Sequence, residues 1–90
     1  QFKLYQNYPN PFNPATKIKF EIPSIGQKQA FNLVFTVYDI NGREVYEISD
    51  AKPAGTYEIT FDGSKLTSGI YFYTLRAGEF SQTQKMILLK

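Results

Sequence analysis

The sequence predicts an all-β domain of two packed antiparallel sheets, and three observations carry that expectation. Apolar and polar residues alternate with a period of two through most of the chain, and no stretch holds the 3.6-residue period of a helix. Turn-forming residues interrupt the alternation at short intervals, at Pro23 to Gly26, Asn41-Gly42, Pro53 to Gly55, Asp62-Gly63-Ser64 and Gly78. With 90 residues, 42% of them hydrophobic and 17% aromatic, the chain can fill one core without cross-links.

Each element follows in order. Pro9-Asn10-Pro11-Phe12-Asn13-Pro14 sets three prolines in six positions, which fixes φ, removes backbone donors and biases Asn10 and Asn13 away from the helical region. Residues 1–15 therefore read as an extended Pro/Asn-rich lead-in, with Phe2 to Tyr5 as an extra edge strand, and residues 16–90 as the folded domain. The first clear strand puts Ile18, Phe20 and Ile22 on one face and Lys17, Lys19 and Glu21 on the other, and Pro23 to Gly26 ends it. A second strand from Phe31 to Asp39 is apolar on both sides, with Leu33, Phe35 and Val37 against Val34, Thr36 and Tyr38, so it belongs in the middle of a sheet. Asn41-Gly42 predicts a type I′ hairpin, because both residues tolerate positive φ. The returning strand spans Glu44 to Ile48, and Ser49 to Gly55 reads as a loop.

Thr56 to Phe61 alternates cleanly, with Tyr57, Ile59 and Phe61 inward. Asp62-Gly63-Ser64 turns the chain, and Leu66 to Gly69 is expected to bridge between sheets. Ile70 to Leu75 is apolar on both faces and central, Ala77-Gly78-Glu79 makes a tight turn, and Phe80 to Leu89 is the last strand. These seven or so strands describe a single antiparallel β-sandwich of immunoglobulin-like type, with a small barrel as the competing solution. No internal repeat or low-complexity tract is present.

Composition narrows function. The chain has neither cysteine nor histidine, which removes thiol nucleophiles, disulfides, Cys/His zinc sites and imidazole bases together. A net charge of +2 without a basic run does not form a nucleic-acid footprint, and no apolar run approaches the ~20 residues of a membrane span. The absence of an initiator methionine points to a piece of a longer polypeptide.

The residues of types suited to chemistry each have a plainer use. Asp39-Ile40-Asn41-Gly42-Arg43-Glu44 spaces oxygen ligands like the start of a calcium loop but lacks the terminal bidentate Glu, and the hairpin accounts for it. Asp39, Glu58 and Asp62 are the carboxylates best placed to be drawn together as a glycosidase pair, yet two open turns and one faces solvent. Neither a catalytic residue, a metal nor a cofactor is expected. Stacked aromatics would bind sugar, but Phe20, Phe35, Tyr57, Phe61, Tyr71 and Tyr73 fall on the inward register. That leaves Tyr5, Tyr8, Tyr46, Phe72 and Phe80 on the outside. Arg76, Lys85 and Lys90 form a modest basic rim that protects an edge.

Taken in order, Leu4 to Thr16 with its Pro9 to Pro14 core, Val37-Tyr38-Asp39-Ile40-Asn41-Gly42-Arg43-Glu44-Val45, Ala54-Gly55-Thr56-Tyr57, Asp62-Gly63, Ser68 to Tyr73, and Lys85-Met86-Ile87-Leu88-Leu89-Lys90 resemble the type A C-terminal sorting domain of the type IX secretion system. The similarity covers nearly the whole chain, and the pattern is shared with immunoglobulin-like domains related to the flagellar hook-capping protein. The resemblance implies a non-enzymatic signal fused to the C-terminus of an N-terminal cargo, a hydrolase or adhesin, in Bacteroidota and related bacteria. It further implies passage from periplasm across the outer membrane through translocon and shuttle components. A sortase-like peptidase then removes the domain, near or before Gln1, and the cargo is held at the cell surface or released.

On the resemblance, the recognition candidates are Pro9, Asn10, Pro11, Phe12, Asn13 and Pro14; Gly42 and Arg43; Gly69 and Tyr71; and Lys85, Met86, Ile87, Leu88, Leu89 and Lys90. The last strand is expected to be presented through an exposed edge by strand addition, and open edges would also permit weak self-association. The Pro9 to Pro14 segment is expected to set the junction with the cargo. The competing reading is an immunoglobulin-like accessory module that binds carbohydrate or spaces domains in a secreted hydrolase.

Overall fold

In the computed structural model, which describes all 90 residues, seven strands form two antiparallel sheets. They are β1 (Lys3–Leu4), β2 (Ala15–Ile22), β3 (Phe31–Tyr38), β4 (Glu44–Lys52), β5 (Gly55–Asp62), β6 (Gly69–Ala77) and β7 (Phe80–Leu88). One sheet runs β1-β2-β5 and the other β4-β3-β6-β7. The chain passes between sheets after β2, β4 and β5, so Leu66 to Gly69 does bridge them, and β3 and β6 are central as their two-faced apolar patterns require.

The inward registers meet in one core. Ile18, Phe20 and Ile22 of β2 and Phe61 of β5 face Leu33, Phe35 and Val37 of β3, Tyr71, Tyr73 and Leu75 of β6, and Met86 and Leu88 of β7. Phe80, expected outside, stacks on Phe2 at 4.9 Å, and Phe2 meets Phe31 edge-on at 5.2 Å. These rings close the end of the sandwich at which Gln1 lies.

Two local expectations are corrected. Ser49 to Gly55 is not a loop: β4 continues to Lys52, pairing with β3 from Tyr38↔Glu44 to Phe31↔Lys52. The polar sequence Ser49-Asp50 hides a strand whose order comes from its neighbour. Asn41-Gly42 does not make a type I′ turn either. No non-glycine residue has positive φ, so of the two turn residues only Gly42 does, at +83°. The Gly42 amide donates to Asp39 O at 3.0 Å and the Asp39 amide to Arg43 O at 2.9 Å. This is a three-residue loop with glycine at the left-handed position, followed by a bulge at Val45 where the register shifts.

Two of the three crossings between sheets, those after β4 and β5, use one device. In Pro53-Ala54-Gly55-Thr56-Tyr57 the Tyr57 hydroxyl donates back to Pro53 O at 2.6 Å, and in Thr67-Ser68-Gly69-Ile70-Tyr71 the Tyr71 hydroxyl donates to Thr67 O at 2.8 Å. Gly55 and Gly69 have φ of +154° and +155°, a conformation that side chains disfavour. Each tyrosine staples the corner that its glycine permits, as the tyrosine corner does in immunoglobulin-like domains.

The two long sides of the sandwich differ. On one, β1 lies beside β7, and the seam is closed by hydrogen bonds. Tyr73 donates to Tyr5 O at 2.7 Å, Gln84 Nε2 to Leu4 O at 3.1 Å and Gln6 Nε2 to Lys85 O at 2.6 Å. On the other side β4 and β5 are edge strands whose outer edges have no strand partner.

Tyr73 is fully buried, and burial pushes its hydroxyl from 10.0 up to about 12, against the opposing Asn7 backbone amide. The folded state therefore holds the proton more firmly than the unfolded chain does. The stabilisation is complete below pH 10 and lost as pH rises through about 12. The urea midpoint is expected to fall steeply across that window. Tyr73→Phe should flatten the fall while costing about 1 kcal/mol at neutral pH for the lost bond to Tyr5; an equally steep alkaline loss in the variant would assign it to other groups.

Candidate recognition surface

Three of the sequence regions singled out for recognition reach the same end of the sandwich. The end of β3 with the start of β4, the start of β6, and the end of β7 all lie there in sheet order, as do the start of β2 and the end of β5. The Pro9 to Pro14 segment arrives at this end because it leads directly into Ala15 of β2.

The segment does not hang free. It bends along the edge of β7: Asn10 Oδ1 accepts from the Ile87 amide at 2.9 Å, the Phe12 amide donates to Ile87 O at 2.9 Å, and the Leu89 amide donates to Phe12 O at 3.0 Å. Behind it, Pro14 O accepts from the Gly63 amide at 2.7 Å. Pro9, Asn10, Pro11, Asn13 and Pro14 are exposed, whereas Phe12 is only 2% exposed, its ring 6.2 Å from that of Phe61. A buried polar knot holds the base of the segment: Asn7 Nδ2 donates to Pro9 O and to Thr16 Oγ1, each at 3.1 Å, and Thr16 Oγ1 donates to Pro9 O at 2.8 Å.

Two expectations change accordingly. The terminal strand does not present an open edge from Lys85 to Leu89, because Gln6, Asn10 and Phe12 occupy it. Nor does the Pro9 to Pro14 segment lie at the junction with upstream sequence. Gln1 and Phe2 sit at the opposite end beside Phe31 and Phe80, about 25 Å away along eight-residue strands.

The C-terminal candidates divide by parity. Met86 and Leu88 are fully buried and serve the core, while Lys85, Leu89 and Lys90 are exposed and Ile87 half-exposed. The Lys90 ammonium donates to Ser64 O and Leu66 O, at 2.5 and 2.7 Å, and its backbone amide to Ser68 Oγ at 2.9 Å. The chain end is thus tied to the β5–β6 connection.

That connection and the β3–β4 hairpin enclose a groove of about 370 Å³, lined among others by Asp39, Arg43, Lys65, Ser68, Gly69 and Tyr71. Asp39 organises the hairpin. Its Oδ1 accepts from the Arg43 and Asn41 amides, both at 2.9 Å, and Oδ2 meets Arg43 Nε at 3.2 Å. The Arg43 amide above all, with Asn41 and the guanidinium charge, holds the Asp39 carboxyl below the ordinary 3.8. Those donors occupy the oxygens that a calcium loop would offer. The outer edge of the Arg43 guanidinium stays in solvent, the side chain being 78% exposed. Tyr71 is 5% exposed and structural.

The remaining candidates are engaged elsewhere. Asp62 caps the Ser64 amide at 2.9 Å, and Glu58 pairs across from Lys19. Of the aromatics read as outward, Tyr46 packs edge-on against Phe61 at 5.3 Å, and Tyr5 donates to Glu21 at 2.7 Å beneath Lys19. Tyr8 alone is strongly exposed, at 81%. Sequence reasoning missed Asn7, Thr16, Gln6, Gln84 and Gly63, whose roles depend on partners distant in the chain.

A family model described as a secretion system C-terminal sorting domain matches residues 6–89. Among solved structures, dimeric latent PorU from Porphyromonas gingivalis is similar, with a TM-score of 0.71 at 21% sequence identity. The match covers 99% of this chain and 9% of that one, and at this identity it speaks for the fold. No curated protein matches the chain.

Proposed function

Because the chain belongs to the secretion-system C-terminal sorting domain family, we propose that the end of the sandwich carrying the β3–β4 hairpin, the β5–β6 connection and Lys90 is the face recognised during export. The domain is a C-terminal sorting signal of the type IX secretion system. It implies export across the outer membrane, to the surface or the medium, through contact with that system. A sorting signal is not itself a catalyst.

On this reading a hydrolase or adhesin cargo is fused upstream of Gln1, and shuttle and translocon components engage the far end of the sandwich. A sortase-like peptidase then cuts at the cargo end, and the cargo is anchored or released. The separation is physically useful: recognition and cleavage occupy opposite ends, so neither obstructs the other. The observation that carries the proposal is the convergence of three exposed cations from separate places in the sequence: Arg43 and Lys65 line one groove, and Lys90 clasps the Ser64 and Leu66 carbonyls beside it.

The test fuses the 90-residue domain to a periplasmic reporter in a host with the type IX apparatus. Arg43→Gln with Lys65→Gln removes the two cations that line the groove, both at exposed positions. Surface reporter should fall at least tenfold with the unfolding midpoint unchanged. Lys3→Gln with Lys28→Gln, at the opposite end, should leave export intact. Equal export by both pairs would overturn the assignment of the recognised end.

A further inference from the structure

The sandwich is sealed on its β1/β7 side and open on its β4/β5 side, and the open side has the features of a strand-docking site. Between β4 and β5 the core reaches the surface in a cleft floored by Phe20, Leu33, Phe35, Ile48, Tyr57 and Ile59. Ile48 is 38% and Tyr46 37% exposed there, although both lie on the inward register opposite Phe35 and Val37. The enclosed volume is about 70 Å³, far below the ~300 Å³ of a small-molecule pocket. It accepts side-chain tips, not a whole ligand.

The rims are two unpaired backbone edges. β4 and β5 each end their sheet, so each offers a row of free amides and carbonyls to an added strand. Neither edge carries the usual protection by lysines. Of the chain's ten cations these strands hold only Lys52, which is turned onto the Tyr57 ring at 4.9 Å and onto Asp50 at 3.4 Å. They hold Glu44, Glu47, Asp50, Glu58 and Asp62, five of the eight carboxylates. The two strands together carry a charge of −4, in a chain whose total is +2.

We propose that the β4/β5 side docks an extended cationic segment of a partner protein, one that alternates apolar residues with Lys or Arg. Its apolar residues enter the cleft beside Ile48, its backbone adds to an open edge, and its cations face the carboxylates of β4 and β5. The same charge argues against a second copy of this chain pairing edge to edge, since like charges would stand opposite each other. This surface lies along the flank of the sandwich and is independent of the end-on groove proposed above.

The test titrates the isotopically labelled 90-residue domain with capped octapeptides that remain monomeric, followed by amide chemical shifts. An alternating Val/Lys peptide should shift amides of residues 45–51 and 55–61 and leave those of β7 unmoved. Val/Glu and Ser/Lys counterparts should bind at least tenfold more weakly, and Ile48→Arg, at a half-exposed position that spares the fold, should weaken Val/Lys binding at least tenfold. Equal binding of Ser/Lys would mean ion exchange only, and equal binding of Val/Glu would remove the electrostatic argument. Concentration-dependent shifts of β4 without peptide would make a second copy the occupant. Any of these, or no binding by any peptide, overturns the proposal.

Discussion

Removing residues 85–90 is expected to unfold the domain, not merely to silence a signal. The deletion takes away Met86 and Leu88, both fully buried, and burial losses of this kind cost about 2–5 kcal/mol each. It also removes Ile87 and Leu89, whose backbones hold the Pro9 to Pro14 segment through Asn10 and Phe12, and Lys90, which clasps the β5–β6 connection. A domain of this size has about 5–15 kcal/mol to lose. Circular dichroism melting of the truncated chain should show no cooperative transition. A sharp transition near that of the intact domain would mean that the end of β7 is dispensable to the core. It follows that loss of export on C-terminal truncation is no proof of recognition. The informative substitutions are at exposed Lys85, Leu89 and Lys90.

Phe12→Ala is the single change expected to do most damage outside the strands, by about 3–5 kcal/mol. Phe12 packs between Phe61 and Leu88, and the Gly63 backbone closes over it so tightly that a Cβ there would lie 3.3 Å from Phe12 Cε2 and 3.1 Å from Leu88 Cδ2. The hydrogen bonds made by the Phe12 amide and carbonyl ride on that anchor. Urea unfolding should report the loss, and hydrogen exchange should accelerate first at the amides of Leu89 and Gly63, which donate to Phe12 O and Pro14 O. Asn13→Ala, at an exposed position in the same segment, should stay within about 0.5 kcal/mol of the parent. If both changes cost the same, the segment is held by its backbone alone.

The contrast between Phe12 and its neighbours also marks how far sequence reasoning reaches. Six strand positions in β2, from Lys17 to Ile22, could be assigned to their faces by alternation, because one face meets the core and the other water. The central places of β3 and β6 were legible for a related reason: apolar residues on both faces need cover on both. Sequence alone ends β4 at Ile48, because Ser49 and Asp50 carry no strand signal of their own; pairing with β3 orders them. Asn41-Gly42 promised a hairpin and delivered one, but the turn type depended on where the bulge at Val45 placed the register.

For the recognition surface the division is sharper. The motifs themselves, Pro9 to Pro14, Gly42-Arg43, Gly69-Ile70-Tyr71 and Lys85 to Lys90, could be picked out in order along the chain. Which of their residues face a partner could not, because exposure depends on what packs from the other sheet: Phe12, Tyr71, Met86 and Leu88 are spent on the core, and Arg43, Leu89 and Lys90 remain outside. By itself the sequence determined an all-β sandwich and its strand faces, since period-two burial is a local property. Only the tertiary structure decided that one long side is strapped shut, that the other stays open and acidic, and that the motifs gather at the end opposite Gln1. Those depend on contacts between residues as far apart as Gln6 and Lys85, which no local pattern encodes.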